Sequence, residues 1–208
     1  MPNTNHCGLI ICDFDHTLFD TTRFVYDLEN AFEKVGISKN DFRKIRSELK
    51  AKQQVFDFNE MASILNNKSS INPHEVVQNI LKTKATEYIF DDVSTFIKNH
   101  KENFDFLILT QGDKNLQLQK LKYSGFKNFK TIITKSSKIT PLAKLLLKYD
   151  HIYFIDDKAK HIDDIKTSFP NVITYLLKRP QDELYGKNDQ LVKKADFKIQ
   201  NLNFELKC

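Results

Sequence analysis

Two aspartates, Asp13 and Asp15, close a short apolar run in Leu-Ile-Ile-Cys-Asp-Phe-Asp-His-Thr-Leu-Phe-Asp-Thr-Thr, residues 9–22. Residues i and i+2 of a strand project to one side, so both carboxylates can meet a common ligand where the strand ends. Like charges held that close require a cation or a shared proton, hence a bound metal or one raised pKa. Later segments carry groups that would complete such a site: Thr110-Gln111-Gly112-Asp113, Asp156-Asp157-Lys158, and Lys138 between them. Acids suit a hard cation, a hydroxyl and backbone N–H groups suit phosphate, and a lysine offsets charge, so the set reads as metal-plus-phosphate chemistry.

The elements that must position these groups follow from the apolar rhythm. Residues 8–13 read as a buried strand, a continuous apolar run that ends in acids. Between residues 20 and 88 apolar positions recur at helical spacing: Phe24, Leu28, Ala31 and Phe32; Phe42, Ile45 and Leu49; Met61, Ile64 and Leu65; Val76, Val77, Ile80 and Leu81. This predicts an all-helical insert, broken at Gly36-Ile37-Ser38, at 53–58 and at 66–73. From Asp91 helices and strands alternate: helix 92–101, strand 104–110, helix 113–124, strand 130–134, helix 141–149, strand 151–156, helix 159–168 and strand 171–177. Thr140-Pro141 reads as an N-cap with Pro at the first helical position, and Ser124-Gly125 as a helix stop. Residues 196–199 read as an extra strand and 201–208 as a tail or edge segment.

The expected architecture is therefore α/β, a Rossmann-like parallel sheet with an all-helical unit inserted after the first strand. Residues 1–19 and 89–208 would form the core and 20–88 the insert. In such a sheet ligands gather outside the carboxyl ends of the strands, where strand order reverses, which is where the polar segments fall.

These elements, in this order, resemble the motifs of the haloacid dehalogenase-like (HAD) hydrolase superfamily. The resemblance rests on Asp13-Phe-Asp-His-Thr-Leu-Phe-Asp-Thr, on Leu-Thr-Gln-Gly-Asp with Gln119-Lys120-Leu121 and Ser124-Gly125-Phe126, on the lysine, and on Asp156-Asp157. It covers residues 8–22 and about 91–177, with the helical insert in the place of that family's type I cap. The resemblance implies an Mg2+-dependent phosphatase in which Asp13 attacks phosphorus to give an aspartyl-phosphate and Asp15 is the general acid and base; the alternatives are a nucleic-acid or protein phosphatase of the same fold, or a non-catalytic binding or regulatory module. Asp13, the Asp15 backbone carbonyl and an acid from Asp156-Asp157 would hold Mg2+, with Asp157 the direct ligand and Asp156 and Asp163 behind it. Thr110, Gln111 and Gly112 would hold phosphoryl oxygens through the hydroxyl and backbone N–H groups. Lys138 would offset charge there, with Lys135 as its rival. His16 stands where this family often has glycine, and His161 where a later acid is expected.

Each feature alone has a plainer explanation. Asp13-x-Asp15 could be a turn, Asp113 and Asp156-Asp157 helix caps, and Lys138 one solvated lysine among many. Their convergence at one predicted sheet edge is what favours chemistry. His6, His74, His100 and His151 have no ligand spacing and read as surface or capping residues. Cys12 should point away from Asp13 as a small buried hydrophobe. Phe24, Tyr26 and Phe56 are candidates to face a substrate from the insert.

Composition sets outer bounds. At 208 residues, 40% hydrophobic and 28% charged with 5 Gly and 5 Pro, the chain suits one core plus an accessory unit and excludes disorder or a fibrous repeat. The net charge of +5 favours anionic partners, but its lysines are scattered and no nucleic-acid motif is present. A phosphorylated small molecule satisfies that charge: a nucleotide, a sugar phosphate or a phosphoglycolate-like ester, bound by a monomer or homodimer. Three dispersed cysteines argue against a disulfide framework or zinc site. With no membrane span and no leader pattern, the expected location is cytoplasmic.

Overall fold

The computed structural model describes residues 6–52, 56–68, 71–143, 145–180 and 194–207. Its centre is β1 (Gly8–Cys12), which pairs in parallel with β2 (Phe104–Gln111) on one side and β4 (His151–Asp156) on the other. With β3 (Lys130–Thr134), β5 (Ile173–Leu177) and β6 (Phe197–Ile199), the order is β3-β2-β1-β4-β5-β6, every pairing parallel. A strand covered on both faces has no solvent side, which is why β1 is apolar throughout. Leu9 and Ile11 pack with Leu107, Leu109 and Phe154 on one face, while Ile10 and Cys12 join Phe104, Ile108 and Ile155 on the other.

Among the described residues of 21–84 the regular elements are all helices: α1 (Thr21–Lys34), α2 (Lys39–Lys52), α3 (Phe58–Asn66) and α4 (Pro73–Lys84). Their starts are chemical. Asp20 accepts from Arg23 N, Asp57 from Asn59 N, and Asn72 from His74 N with Pro73 in the first turn, each satisfying a donor with no partner inside the helix. The periodic apolar residues Phe24, Leu28, Phe32, Phe42, Met61 and Leu81 face inward and run into the sheet's own core as one cluster. The chain enters and leaves this region side by side: Asp20 N donates to Tyr88 O at 2.6 Å, and the Phe19 and Tyr88 rings lie 5.4 Å apart.

Beyond the short turn 85–88, α5 (Asp91–His100), α6 (Lys114–Tyr123), α7 (Ile139–Ala143) and α8 (Ala159–Ser168) connect the later strands. Gly125, at φ +92°, ends α6 as expected, in a conformation that costs glycine little. The helix expected over 141–149 is instead a short α7 followed by a separate turn at 146–148. Ser137 Oγ, not Thr140, accepts from Ile139 N, and Pro141 lies within the first turn, where its missing N–H is no loss. The tail 201–207 forms no strand but packs down: Leu202 and Leu206 are buried, and Leu206 N donates to Nε2 of the buried His100. Cys12 is a buried free thiol, pushed up to about 12 by burial and by Asp13. Cys7 is disulfide-bonded.

Candidate active site

Register aligns Cys12, the last residue of β1, with Ile155 of β4, which ends one residue later, and with Ile108 of β2, which runs three residues further to Gln111. The chain builds outward from β1 through β2 and β3 and then returns to the other side as β4, so strand order reverses between β1 and β4. At that point Asp13 donates its N–H to Ile155 O (2.9 Å), and Asp156 is the last residue of β4. One oxygen from each of Asp13, Asp156 and Asp157 lies within 4.8 Å of the others. Lys138, 3% exposed, sits among them, its Nζ 2.5 Å from Asp13 Oδ1 and 2.7 Å from Asp156 Oδ2.

The three acids differ electrically. Burial would raise Asp156, but Lys138 and His161 outweigh it and hold this carboxyl below the ordinary range. Burial raises Asp13 more than Lys138 lowers it, with Asp156 adding repulsion. Asp157 is pushed well up by burial and by the charges of Asp156 and Asp13. Its Oδ1 is buried with no hydrogen-bond partner among the described residues. For Lys138, burial is outweighed by Asp13 and Asp156, so its ammonium is held charged.

Asp15 lies on the same strand end but is bound elsewhere. Its Oδ1 accepts from Lys120 Nζ and Thr21 Oγ1, and its Oδ2 from Gln117 Nε2 at 2.5 Å. Gln117 and Lys120 stand three apart on α6 and so share a face. Lys120 is buried beneath the rings of Phe19 and Phe24, at 5.0 and 5.6 Å. Burial would raise Asp15, yet Lys120, Thr21 and Gln117 together hold it ionised, well below the usual carboxylate range. A cavity of about 460 Å³ opens over Asp13, Asp15 and Asp157, walled by residues of α1, α2 and α3.

No family model matches the sequence, and no curated protein matches it. Solved structures do match. A provisionally named haloacid dehalogenase-like hydrolase of Burkholderia xenovorans LB400 superposes with a TM-score of 0.77 at 17% identity, over 95% of this chain and 94% of that one. A HAD-hydrolase of Bacillus subtilis, YfnB, bound to magnesium, gives 0.62 at 16% identity over 95% and 96%. The L-2-haloacid dehalogenase of Xanthobacter autotrophicus gives 0.58 at 14% over 93% and 94%. The chain has the haloacid dehalogenase-like fold. Since the superpositions span nearly the whole chain, the HAD-like likeness includes the helical insert.

Within this HAD-like frame the expected residues do not all fall as the sequence reading placed them. Lys138 is the lysine at the acids, whereas Lys135 is exposed. Thr110 is fully buried, its hydroxyl accepting from Gln117 Nε2 at 3.1 Å. Gln111 lines the cavity and donates its side-chain amide to Ser136 O (2.7 Å). The Gly112 N–H, expected to hold a phosphoryl oxygen, is donated to Thr134 O at 3.2 Å. What Gly112 provides is room: a Cβ there would stand 2.8 Å from Gln117 Nε2. Asp113 caps α6 through Leu116 N and also receives Asn59 Nδ2 from the insert at 2.9 Å. Asp163 is not brought to the site; its Oδ1 accepts from Lys194 N. His161 instead reaches Asp156, with Nδ1 at 3.0 Å. His16 is the non-glycine residue at positive φ (60°) among those described, and it lines the cavity. Phe24 and Phe56 line the cavity too, while Tyr26 is exposed. Sequence reasoning missed Gln117, Lys120 and Thr21 as partners of Asp15; the signal for the first two was an i, i+3 polar pair on a helix starting at the sheet edge.

Proposed function

We propose that this chain is an Mg2+-dependent phosphatase that hydrolyses a small phosphate monoester through an aspartyl-phosphate on Asp13. The observation that carries the reading is the separation of two carboxylate environments: Asp13 clustered with Asp156, Asp157 and Lys138, and Asp15 held apart by Lys120, Thr21 and Gln117. One suits a metal-assisted nucleophile and the other a proton carrier. A dehalogenase would require neither the metal acids nor Asp15.

The residues fit a hard divalent cation. Three carboxylate oxygens converge, and the Asp157 oxygen lacking a partner belongs to an acid whose raised pKa awaits a counter-charge. Asp13 and Asp157, with the Asp15 backbone carbonyl, would hold Mg2+, while Asp156 braces the set through Lys138, His161 and Lys158 N. Bound there, the ion supplies positive charge that lets an anionic nucleophile approach an anionic phosphoryl group. The magnesium in the similarly folded Bacillus protein supports that choice of metal.

Lys138, against Asp13, holds the nucleophile in place and offsets charge on the incoming phosphoryl group. A carboxylate oxygen of Asp13 bonds to phosphorus as the ester P–O bond breaks, and the departing alcohol oxygen takes a proton from Asp15. Water then attacks phosphorus, passes its proton to Asp15, and the P–O bond to Asp13 breaks to release phosphate. Asp15 can deliver a proton only once it leaves Lys120, because beside that ammonium it stays ionised. The test is phosphate release from a panel of phosphorylated metabolites with Mg2+. Turnover by wild type and none by a folded Asp13→Asn variant is expected; equal turnover by both would overturn the mechanism.

A further inference from the structure

The cavity above Asp13 is built for more than a phosphoryl group, and its lining names a chemical class; this inference rests on the phosphatase reading and refines it. Its volume of about 460 Å³ lies in the range of sites that enclose whole organic ligands, and exceeds what a two-carbon phosphate fills. The wall contributed by the insert is apolar and largely aromatic: Phe24, Leu28, Phe42, Phe56, Phe58 and Met61. Such a wall favours a flat apolar body, which gains from burial and ring stacking.

Several polar groups at the cavity are already committed. Thr21 and Gln117 bind Asp15, Gln111 binds Ser136 O, and Asp113 takes Leu116 N and Asn59. Hydroxyls laid against the phenylalanine wall would find no partner there, at a cost that disfavours a polyhydroxylated body in that part of the cavity.

The same cavity gathers cations on the insert's side. Arg46 and Lys50 lie one turn apart on α2, so they share a face, and both line the cavity. The Arg46 guanidinium stands 6.0 Å over the Phe56 ring, which fixes it at the edge of the apolar wall. Lys158, next to Asp157, lines the cavity too. A guanidinium at the rim of an apolar wall offers a charge-assisted hydrogen bond to an anion carried on the far end of the ligand.

We propose that the substrate is a phosphate monoester of an aromatic, ring-bearing body that carries a second anionic group, a carboxylate or further phosphate, bound by Arg46 and Lys50. The phosphoryl group faces Asp13, the ring lies along the phenylalanine wall, and the distal anion meets α2.

Non-hydrolysable probes separate this from the catalytic reading. Calorimetric titration of the Mg2+-loaded full chain would compare 4-(phosphonomethyl)benzoate, benzylphosphonate and glucose 6-phosphonate. Benzylphosphonate should bind more tightly than the sugar phosphonate, and the added carboxylate should tighten binding about tenfold or more, the worth of a hydrogen bond to a charged group. In the double variant Arg46→Gln/Lys50→Gln that carboxylate advantage should shrink toward onefold, while Lys44→Gln, on the exposed side of α2, keeps it. Sugar phosphonate binding as tightly as the aromatic ones overturns the proposal, as does a carboxylate advantage that survives the double variant. Preference for the aromatic dianion without turnover of any phosphate ester would leave this proposal standing and overturn the phosphatase reading instead.

Discussion

Replacing Lys138 by Met removes one ammonium from between two carboxylates while nearly keeping side-chain volume. In wild type Nζ lies 2.5 Å from Asp13 and 2.7 Å from Asp156, both buried, with Asp157 beside them. Removing one partner of a buried ion pair costs about 3–5 kcal/mol, because the remaining charges lose their compensation. For a chain of this length each kcal/mol shifts Tm by about 2–4 °C, so the variant should melt roughly 6–20 °C lower in EDTA. The pH dependence has a definite sign. In wild type Asp156 is depressed, so its contribution is present above the unfolded carboxyl pKa and is lost as pH falls through the folded value. Without the ammonium the clustered acids are raised, so the folded variant retains protons and loses stability as pH rises through those folded values. The two stability curves should therefore converge toward acid and diverge toward neutral pH. Excess Mg2+ should recover much of the deficit, since a cation bound by the same acids replaces the missing charge. Urea denaturation at about pH 5 and pH 7.5, with EDTA and then with Mg2+, reads all of this. A deficit below about 1 kcal/mol at neutral pH in EDTA, or one that grows on acidification, would refute the assignment of Lys138 as the counter-charge of the acid cluster.

Lys120→Met should leave Asp15 buried without its main counter-charge, so its pKa rises. The alkaline limb of the pH profile of kcat/KM, where the proton donor is lost, should then move to higher pH by about one unit or more; an unmoved limb would dissociate Lys120 from Asp15. Gly112→Ala places a Cβ 2.8 Å from Gln117 Nε2, the movable end of a side chain, and so should displace Gln117 from Asp15 and Thr110. Turnover should fall about tenfold or more with Tm shifted by less than about 3 °C, measured by phosphate release and thermal melting; a large loss of Tm with normal turnover would contradict this.

Several features of the fold could be read because one physical cause dominated them. β1 is apolar on both faces since both are covered, and its aspartates stand where cover ends. The helices of residues 21–84 show their apolar stripe because each buries one side. The division of core and insert at residues 19/20 and 88/89 is a sequence expectation; the apolar cluster crosses it without a break. α7 was misread because residues 141–149 carry apolar residues without the cap that would show where the helix starts; Ser137 holds that position through a side chain two residues upstream of Ile139. At the site, Asp13, Lys138, Asp156 and Asp157 were legible from type and order. Gln117 and Lys120 were not, because a buried lysine looks in sequence like any solvated one until a carboxylate 105 residues away is brought to it. Asp163 failed for a related reason: on α8 it falls on a side that meets Lys194 and not β4.

The partners of Asp15 come from two bodies of structure, and this sets how its chemistry can be switched. Lys120 and Gln117 belong to α6, packed by Leu121 into the core, whereas Thr21 is the first residue of α1, where the helical insert begins. Between Asp15 and Thr21 the chain passes through His16, at φ 60°, and Phe19, whose N–H is tied back to Phe14 O. A second tie joins insert to core at Asn59 and Asp113. Displacing α1 takes Thr21 off Asp15, and breaking the Asn59 bond removes one restraint on that displacement. Losing a hydrogen bond to its charged form raises a carboxyl pKa, so the position of the insert and the proton affinity of Asp15 are thermodynamically linked. A ligand that holds the insert through Arg46 and Lys50 would therefore also bias Asp15, tying recognition of the leaving group to the residue that must protonate it.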